Sequence, residues 1–351
     1  MKSITKAPIL GVAAIVSALA FATPSLAQEK VDGPKVEWRV SLWGNPRAFT
    51  KGFEYLSEQV KARTDGKFTM TIGFNNQFAP EKENLDGLKI GAFEAAGICT
   101  SYHPGRNPAS MALDLPFLPL ANFDIAKAVY ERLYQHPAIQ AELGKWDAMP
   151  FMAGILPQYE FMGVGDPPKT VADWKGKRVR ALGGIGDAMR VIGANTVSPP
   201  ASEVYTALER ATVDAASFPF SYAHASYKLH EISKWYTTNL SPGTVNCPYV
   251  FSITAWKKLP PQYQKLLTEL KEPAYAAMKA AYKAADDKNI PEFNKRGLFA
   301  ITYSAEELKK FRDLAGKPVW DAWIKDADSK GLHGQELIQL ILDTAKKAGA
   351  S

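Results

Sequence analysis

Cysteine is nearly absent from this chain, and beyond its first two dozen residues no long apolar run occurs. Cys99 and Cys247 are the only two cysteines in 351 residues, too few for a disulfide scaffold and without the CxxC spacing of zinc or redox sites. Whether they pair with each other depends on where the fold puts them, which spacing does not decide. Catalytic signatures are missing too: there is no GxSxG elbow, HExxH pair, Walker loop or EF-hand loop. Of the five histidines, only His224 and His230 lie close in sequence, and a gap of six sends them to different helical faces. No metal site and no cofactor is expected. Gly184-Ile185-Gly186 approaches a dinucleotide fingerprint, but Met189 stands where glycine or alanine is required, so these read as turn glycines. The formal charge of +6 is spread among interleaved acids, and nucleic-acid recognition, which needs a clustered basic face, is not expected.

What the chain does have is an export signal. Lys2 and Lys6 form a basic start, residues 7–22 an apolar stretch, and Ser25-Leu26-Ala27 the small residues of a cleavage site. Sixteen residues interrupted by Pro8 and Gly11 fall short of the roughly 20 that cross a bilayer. A signal over 1–27, cleavage before Gln28 and a periplasmic location follow. Removing it leaves 324 residues, enough for two domains with separate cores. Apolar residues at 46% and charged at 22% exclude a disordered or repetitive chain.

The periodicity alternates between strand and helix. Residues 36–42 alternate as a strand and end in the turn Trp43-Gly44-Asn45-Pro46; 48–64 carry Phe49, Phe53, Leu56 and Val60 at helical spacing; 68–74 form the next strand. A helix over 82–91 and a buried strand over 95–100 follow. The pattern resumes with strands at 149–156, 158–164, 177–182 and 212–218. Between them fall a short helix over 170–175, one over 187–193 and one that Ser202 can cap. From about 260 the chain reads as helical, with Ser304 and Glu307 spaced as a capping box and a last helix at 334–348. The expected fold class is α/β with mostly parallel sheets and helices on both faces, divided as 28–155, 156–255 and a helical 256–351.

One residue stands out chemically. In Lys177-Arg178-Val179-Arg180 the strand period places Arg180 at the C-terminal end of its strand, the edge where open α/β sheets bind ligands. A guanidinium there can hold a carboxylate bidentately; a solvated surface charge is the alternative. The same stretch carries a resemblance. Asp173-Trp174-Lys175-Gly176-Lys177-Arg178-Val179-Arg180 resembles the "DLKGLKIR" segment of the periplasmic solute-binding proteins of tripartite ATP-independent (TRAP) transporters, dicarboxylate-binding type. Pro200 to Asp214, PASEVYTALERATVD, is similar to that family's "EVYTALQRGTVDG" block. With Leu113-Asp114-Leu115-Pro116-Phe117, Thr64-Asp65-Gly66-Lys67 and the signal, the likeness spans nearly the whole mature chain.

The resemblance implies the two-domain periplasmic-binding-protein fold, a long helix spanning both lobes, no catalysis, and delivery of an organic acid to TRAP membrane permease subunits; a monomer is expected. It also implies that Arg180 clamps the carboxylate. The chain departs from the pattern at Phe218, Ala215 and Ala216, and carries Glu160 where some relatives have a second arginine. A dianion between one arginine and a glutamate suffers more repulsion than a monoanion. The expected ligand is therefore an aromatic or bulky monocarboxylate. Phe218, Tyr159 and Trp43 would form an apolar wall, with Phe161 either there or in the core, and Gln158, Glu160 or His103 would meet the far end. A C4-dicarboxylate or 2-oxo acid receptor, and a sensor component outside transport, are the alternatives.

Overall fold

The first strand carries a buried and an exposed face. In β1 (Val36–Ser41) Trp38 and Val40 turn inward while Glu37 and Arg39 stay exposed, the half-buried alternation that strand geometry produces. The computed structural model describes residues 29–350; the signal segment and its cleavage site lie outside them. The strands in chain order are β1, β2 (Phe68–Gly73), β3 (Ala95–Gly97), β4 (Ala148–Met152), β5 (Tyr159–Gly163), β6 (Arg178–Arg180), β7 (Asn195–Val197), β8 (Ala215–Pro219), β9 (Trp235–Thr237), β10 (Tyr249–Ser252) and β11 (Phe299–Ile301). They form one sheet of order β2-β1-β3-β10-β4 and another of order β11-β9-β5-β8-β6-β7.

Five strand pairings are parallel and four antiparallel. The sheets are thus more mixed than expected, and the cause is that the chain crosses between them. β10 returns to the first sheet between β3 and β4, and β11 adds to the edge of the second. The expected boundary at 255 therefore groups β10 with the wrong sheet, and the supposedly helical 256–351 contributes a strand. Local periodicity reports that a segment is extended; which sheet it joins is a long-range choice.

Each sheet has its own aromatic core. In the first, Phe53 stacks on Tyr249 at 4.0 Å and Trp38 meets Phe68 and Phe251 edge-on. In the second, Trp174 lies between Phe161 at 4.8 Å and Trp235 at 6.0 Å. Burying such rings contributes roughly 2 to 3 kcal/mol apiece. The 25-residue helix Lys271–Lys295 packs against both lobes. Its Tyr275 hydroxyl accepts from Ala153 N on the first-sheet side at 2.7 Å, and its Asp286 accepts from Ser221 N and Oγ on the other. Among the described residues no helix is long and apolar enough to cross a membrane.

Candidate functional site

The strand ends that face each other across the two sheets bring together two arginines and a ring of aromatics. Arg180 is the last residue of β6, Phe218 and Pro219 end β8, and Tyr159 opposite Pro219 begins the antiparallel β5. From the first sheet come Trp43 and Arg47 in the loop after β1, and Tyr102 in the turn after β3. These residues, with Phe49, Tyr222, Tyr227 and the Cys99–Cys247 pair, line a cavity of about 30 Å³. That is room for one or two waters, so the rings must part when a ligand enters. A cleft of about 730 Å³ opens elsewhere, on the back of the first lobe. Two of its charge pairs are already closed, Lys35 with Glu37 and Glu94 with Arg39, and among the described residues no buried unpaired cation of the Arg180 kind lines it.

Arg180 is fully buried. Its Nη1 donates to Ser217 O at 2.9 Å, its Nε to Pro199 O at 3.3 Å, and its Nη2 lies 3.5 Å from the Tyr102 hydroxyl. The guanidinium sits 4.4 Å from the Phe218 ring centre. Among the described residues it has no carboxylate partner. A buried cation costs several kcal/mol unless something answers it; carbonyls and a ring face answer it in part, and an anionic ligand would complete the compensation.

Arg47 repeats the arrangement from the opposite lobe. It is buried, its Nη1 donates to Trp43 O at 2.6 Å and Asn45 O at 2.9 Å, and its guanidinium lies 5.2 to 5.8 Å from the rings of Phe49, Trp43 and Tyr227. It too lacks an ion-pair partner among the described residues. Arg180 ends its strand, whereas Arg47 lies six residues beyond the end of β1, in the loop that leads from that strand end, so strand period alone does not mark it. Tyr102, Tyr222 and Tyr227 are further wall residues that sequence reasoning missed. The hydroxyl of Tyr102 is pushed up to about 12, chiefly by burial, and therefore acts as a neutral hydrogen-bonding group.

Of the expected contacts, Arg180, Phe218, Tyr159 and Trp43 line the cavity, whereas Gln158, Glu160 and His103 do not. The Glu160 carboxylate is buried and already accepts from Thr237 Oγ1, Leu240 N, Ser241 N and Ser241 Oγ. It is a structural acceptor, and the repulsion expected of it is not aimed at the site. His103 is buried beside Arg106; desolvation above all, then that arginine, pulls its imidazole down to about 4. Gln158 holds the chain through its carbonyl, which accepts from Phe220 N at 3.1 Å. Phe161 packs on Trp174 in the second core. Cys99 and Cys247, left open by the sequence, form a disulfide with Cα atoms 4.0 Å apart.

The lobes touch across the cavity. Tyr102 Oη accepts from Ala201 N at 3.1 Å, and Ser202 Oγ donates to Glu81 Oε1 at 2.7 Å. Ser202 thus spans the lobes instead of capping its own helix, Val204–Glu209. The glycines read as a turn begin the helix Gly183–Val191, and a Cβ on Gly184 would stand 2.3 Å from Asp114 O. Bare backbone is what lets the two edges meet.

The profile of the DctP family, bacterial extracellular solute-binding protein family 7, matches residues 41–326. A solute-binding protein of Albidiferax ferrireducens is 30% identical, the alignment covering 82% of this chain and 84% of that one. The monocarboxylate 2-oxoacid-binding periplasmic protein of Nostoc sp. is 26% identical over 86% of this chain and 83% of its own. Among solved structures, a marine-metagenome TRAP solute-binding protein specific for aromatic acid ligands, crystallised with 3-hydroxybenzoate, superposes with a TM-score of 0.81. It is 21% identical, with 90% of this chain and 100% of that one covered. The shared fold is the two-domain periplasmic-binding-protein fold.

Proposed function

Because the chain belongs to bacterial extracellular solute-binding protein family 7, whose members are periplasmic receptors for organic acids and not enzymes, we propose that it captures an aromatic or similarly bulky monocarboxylate. It delivers that acid, after export and signal cleavage, to the membrane subunits of a TRAP transporter. The observation that carries this reading is the Arg180 guanidinium, fully buried between the lobes with no acid partner among the described residues and an aromatic face against it. The carboxylate meets the remaining N–H groups of Arg180, and the flat body of the acid lies among Phe218, Tyr159 and Trp43. Each well-placed ring contact adds about 0.5 to 1.5 kcal/mol beyond burial. Since both lobes supply the wall, the acid gains most in the closed arrangement and shifts the population toward it.

The narrow cavity and the 2-oxoacid-binding relative from Nostoc sp. favour a second reading, a compact 2-oxo acid held by the same arginine. Thermal-shift measurements with benzoates, phenylacetates, 2-oxo acids and C4-dicarboxylates rank the two, because a ligand that binds only the folded chain raises its unfolding temperature. Arg180→Met should abolish the response to every acid. A variant that keeps the full shift overturns the assignment.

A further inference from the structure

We propose that Arg47 is a second specificity-determining residue, which reads an oxygen acceptor at the end of the ligand opposite the carboxylate. The inference rests on the reading of Arg180 as the carboxylate anchor. Two stacked rings connect the cations. Arg180 lies over Phe218, Phe218 stacks on Tyr227 with centroids 5.2 Å apart, and Arg47 lies over Tyr227. Both guanidiniums line one cavity, from opposite lobes. A monoanion at Arg180 leaves Arg47 a buried cation answered by carbonyls, ring faces and neutral tyrosine hydroxyls with no counter-charge, and an unpaired buried charge is costly.

The donors of Arg47 are divided. Its Nη1 is spent on Trp43 O and Asn45 O, which fix the guanidinium plane. The Nε and Nη2 groups have no carboxylate or carbonyl acceptor among the described residues, and the hydroxyls of Tyr222 and Tyr227 stand near the group. An oriented cation with a free donor edge recognises an oxygen acceptor. No acidic side chain lines the cavity to compete for it. The ligand class is therefore an acid carrying a hydroxyl, oxo or second carboxylate group away from its anchored carboxylate, with a flat spacer that fits between the rings. A site with hydrogen-bonding groups in place discriminates strongly against an analogue that leaves them unmet.

The test is titration calorimetry on the mature full chain with matched acids: benzoate against its 3- and 4-hydroxy and 3- and 4-carboxy derivatives, and butyrate against its 4-oxo and 4-carboxy counterparts. In the wild type at least one substituted acid should bind tenfold or more tighter than its parent. In Arg47→Met that ratio should collapse toward one, and Arg47→Lys should keep part of it. A purely structural Arg47 would weaken parent and substituted acid together and leave the ratio intact, which overturns the proposal. So does a wild type that binds acids through Arg180 with no preference in either series, a result that needs no variant to fold. If the wild type binds no acid, or Arg180→Met binds them undiminished, the anchor fails and this inference falls with it.

Discussion

At the scale of single residues, the structure separates buried charges that recognise from buried charges that hold the fold. Glu160 belongs to the second kind: four donors from Thr237, Leu240 and Ser241 converge on it. Removing the acceptor orphans buried donors at about 1 to 3 kcal/mol each. Glu160→Ala should therefore lower the urea midpoint by the equivalent of about 3 kcal/mol while the rank order of bound acids stays unchanged; a reordered ligand series would place Glu160 in the site after all. Asp114 gives a pH signature. Burial raises its carboxyl from the ordinary 3.8 to about 7, against the pull of Ser101, Asn246 N and Thr100. An acid whose folded pKa exceeds its unfolded value contributes stability that is complete below the unfolded pKa and is lost as pH rises through the folded one. Between pH 4 and 7 the wild type should thus lose stability relative to Asp114→Asn. His103, depressed by burial to about 4, contributes in the opposite sense, its share present above 6.5 and lost as pH falls toward 4. It is common to both chains, so the difference between their unfolding-temperature profiles isolates Asp114. A flat difference would show that its carboxyl titrates in the ordinary range.

At the scale of elements, the helix Gly183–Val191 controls how closely the lobes approach. A Cβ at Gly184 would meet Asp114 O at 2.3 Å, Leu115 Cα at 2.8 Å and Pro116 Cδ at 2.8 Å, and backbone cannot yield as a side-chain tip can. Gly184→Ala should hold the edges apart, weaken acid binding at least tenfold and leave a larger radius of gyration in the liganded state by small-angle scattering. Unchanged affinity would mean that the lobes do not need this contact to close. Elements such as β1, β2, β5 and β8 were legible because alternation and flanking turns are local properties. The short helix Val171–Trp174 was legible as the helix over 170–175, and Thr170 and Asp173 form its capping box. Ser304 caps its helix as expected, accepting from Glu307 N, but the Glu307 carboxylate turns to Val171 N instead of closing the box. Sequence could not show that Ser202 would spend its hydroxyl on Glu81, nor that β10 and β11 would change sheets, because each outcome depends on a partner far along the chain. Within the site, Arg180 was legible from its strand-end position and its surrounding motif. Arg47 carries neither signal, since it lies in the loop six residues after β1 and outside the family motifs, and the charge reasoning about the ligand shifts once it is included.

At the scale of the whole molecule, stability and the ligand wall share one covalent link. The Cys99–Cys247 disulfide closes a loop across a sequence separation of 148. Inside that loop lie one passage between lobes, residues 153–158, and nearly all of a second, residues 238–246, together with β5 to β9 of the second sheet. Constraining so long a loop restricts the unfolded ensemble by about 5 kcal/mol on the chain-entropy account. It also fixes the segment before β10 against the end of β3, where Thr100 N donates to Asn246 O at 2.9 Å and both sulfurs border the cavity. Because the bond is buried in the native state, mild reductant should leave the folded chain oxidised, while reduction under denaturing conditions followed by refolding should give a dithiol form. That form should unfold on the order of 10 °C lower and bind acids more weakly, since the cavity wall from the first lobe loses a covalent tie. If the dithiol form matches the oxidised one in both unfolding temperature and affinity, the backbone pairing of β3 with β10 suffices to hold that wall, and the disulfide has no part in ligand capture.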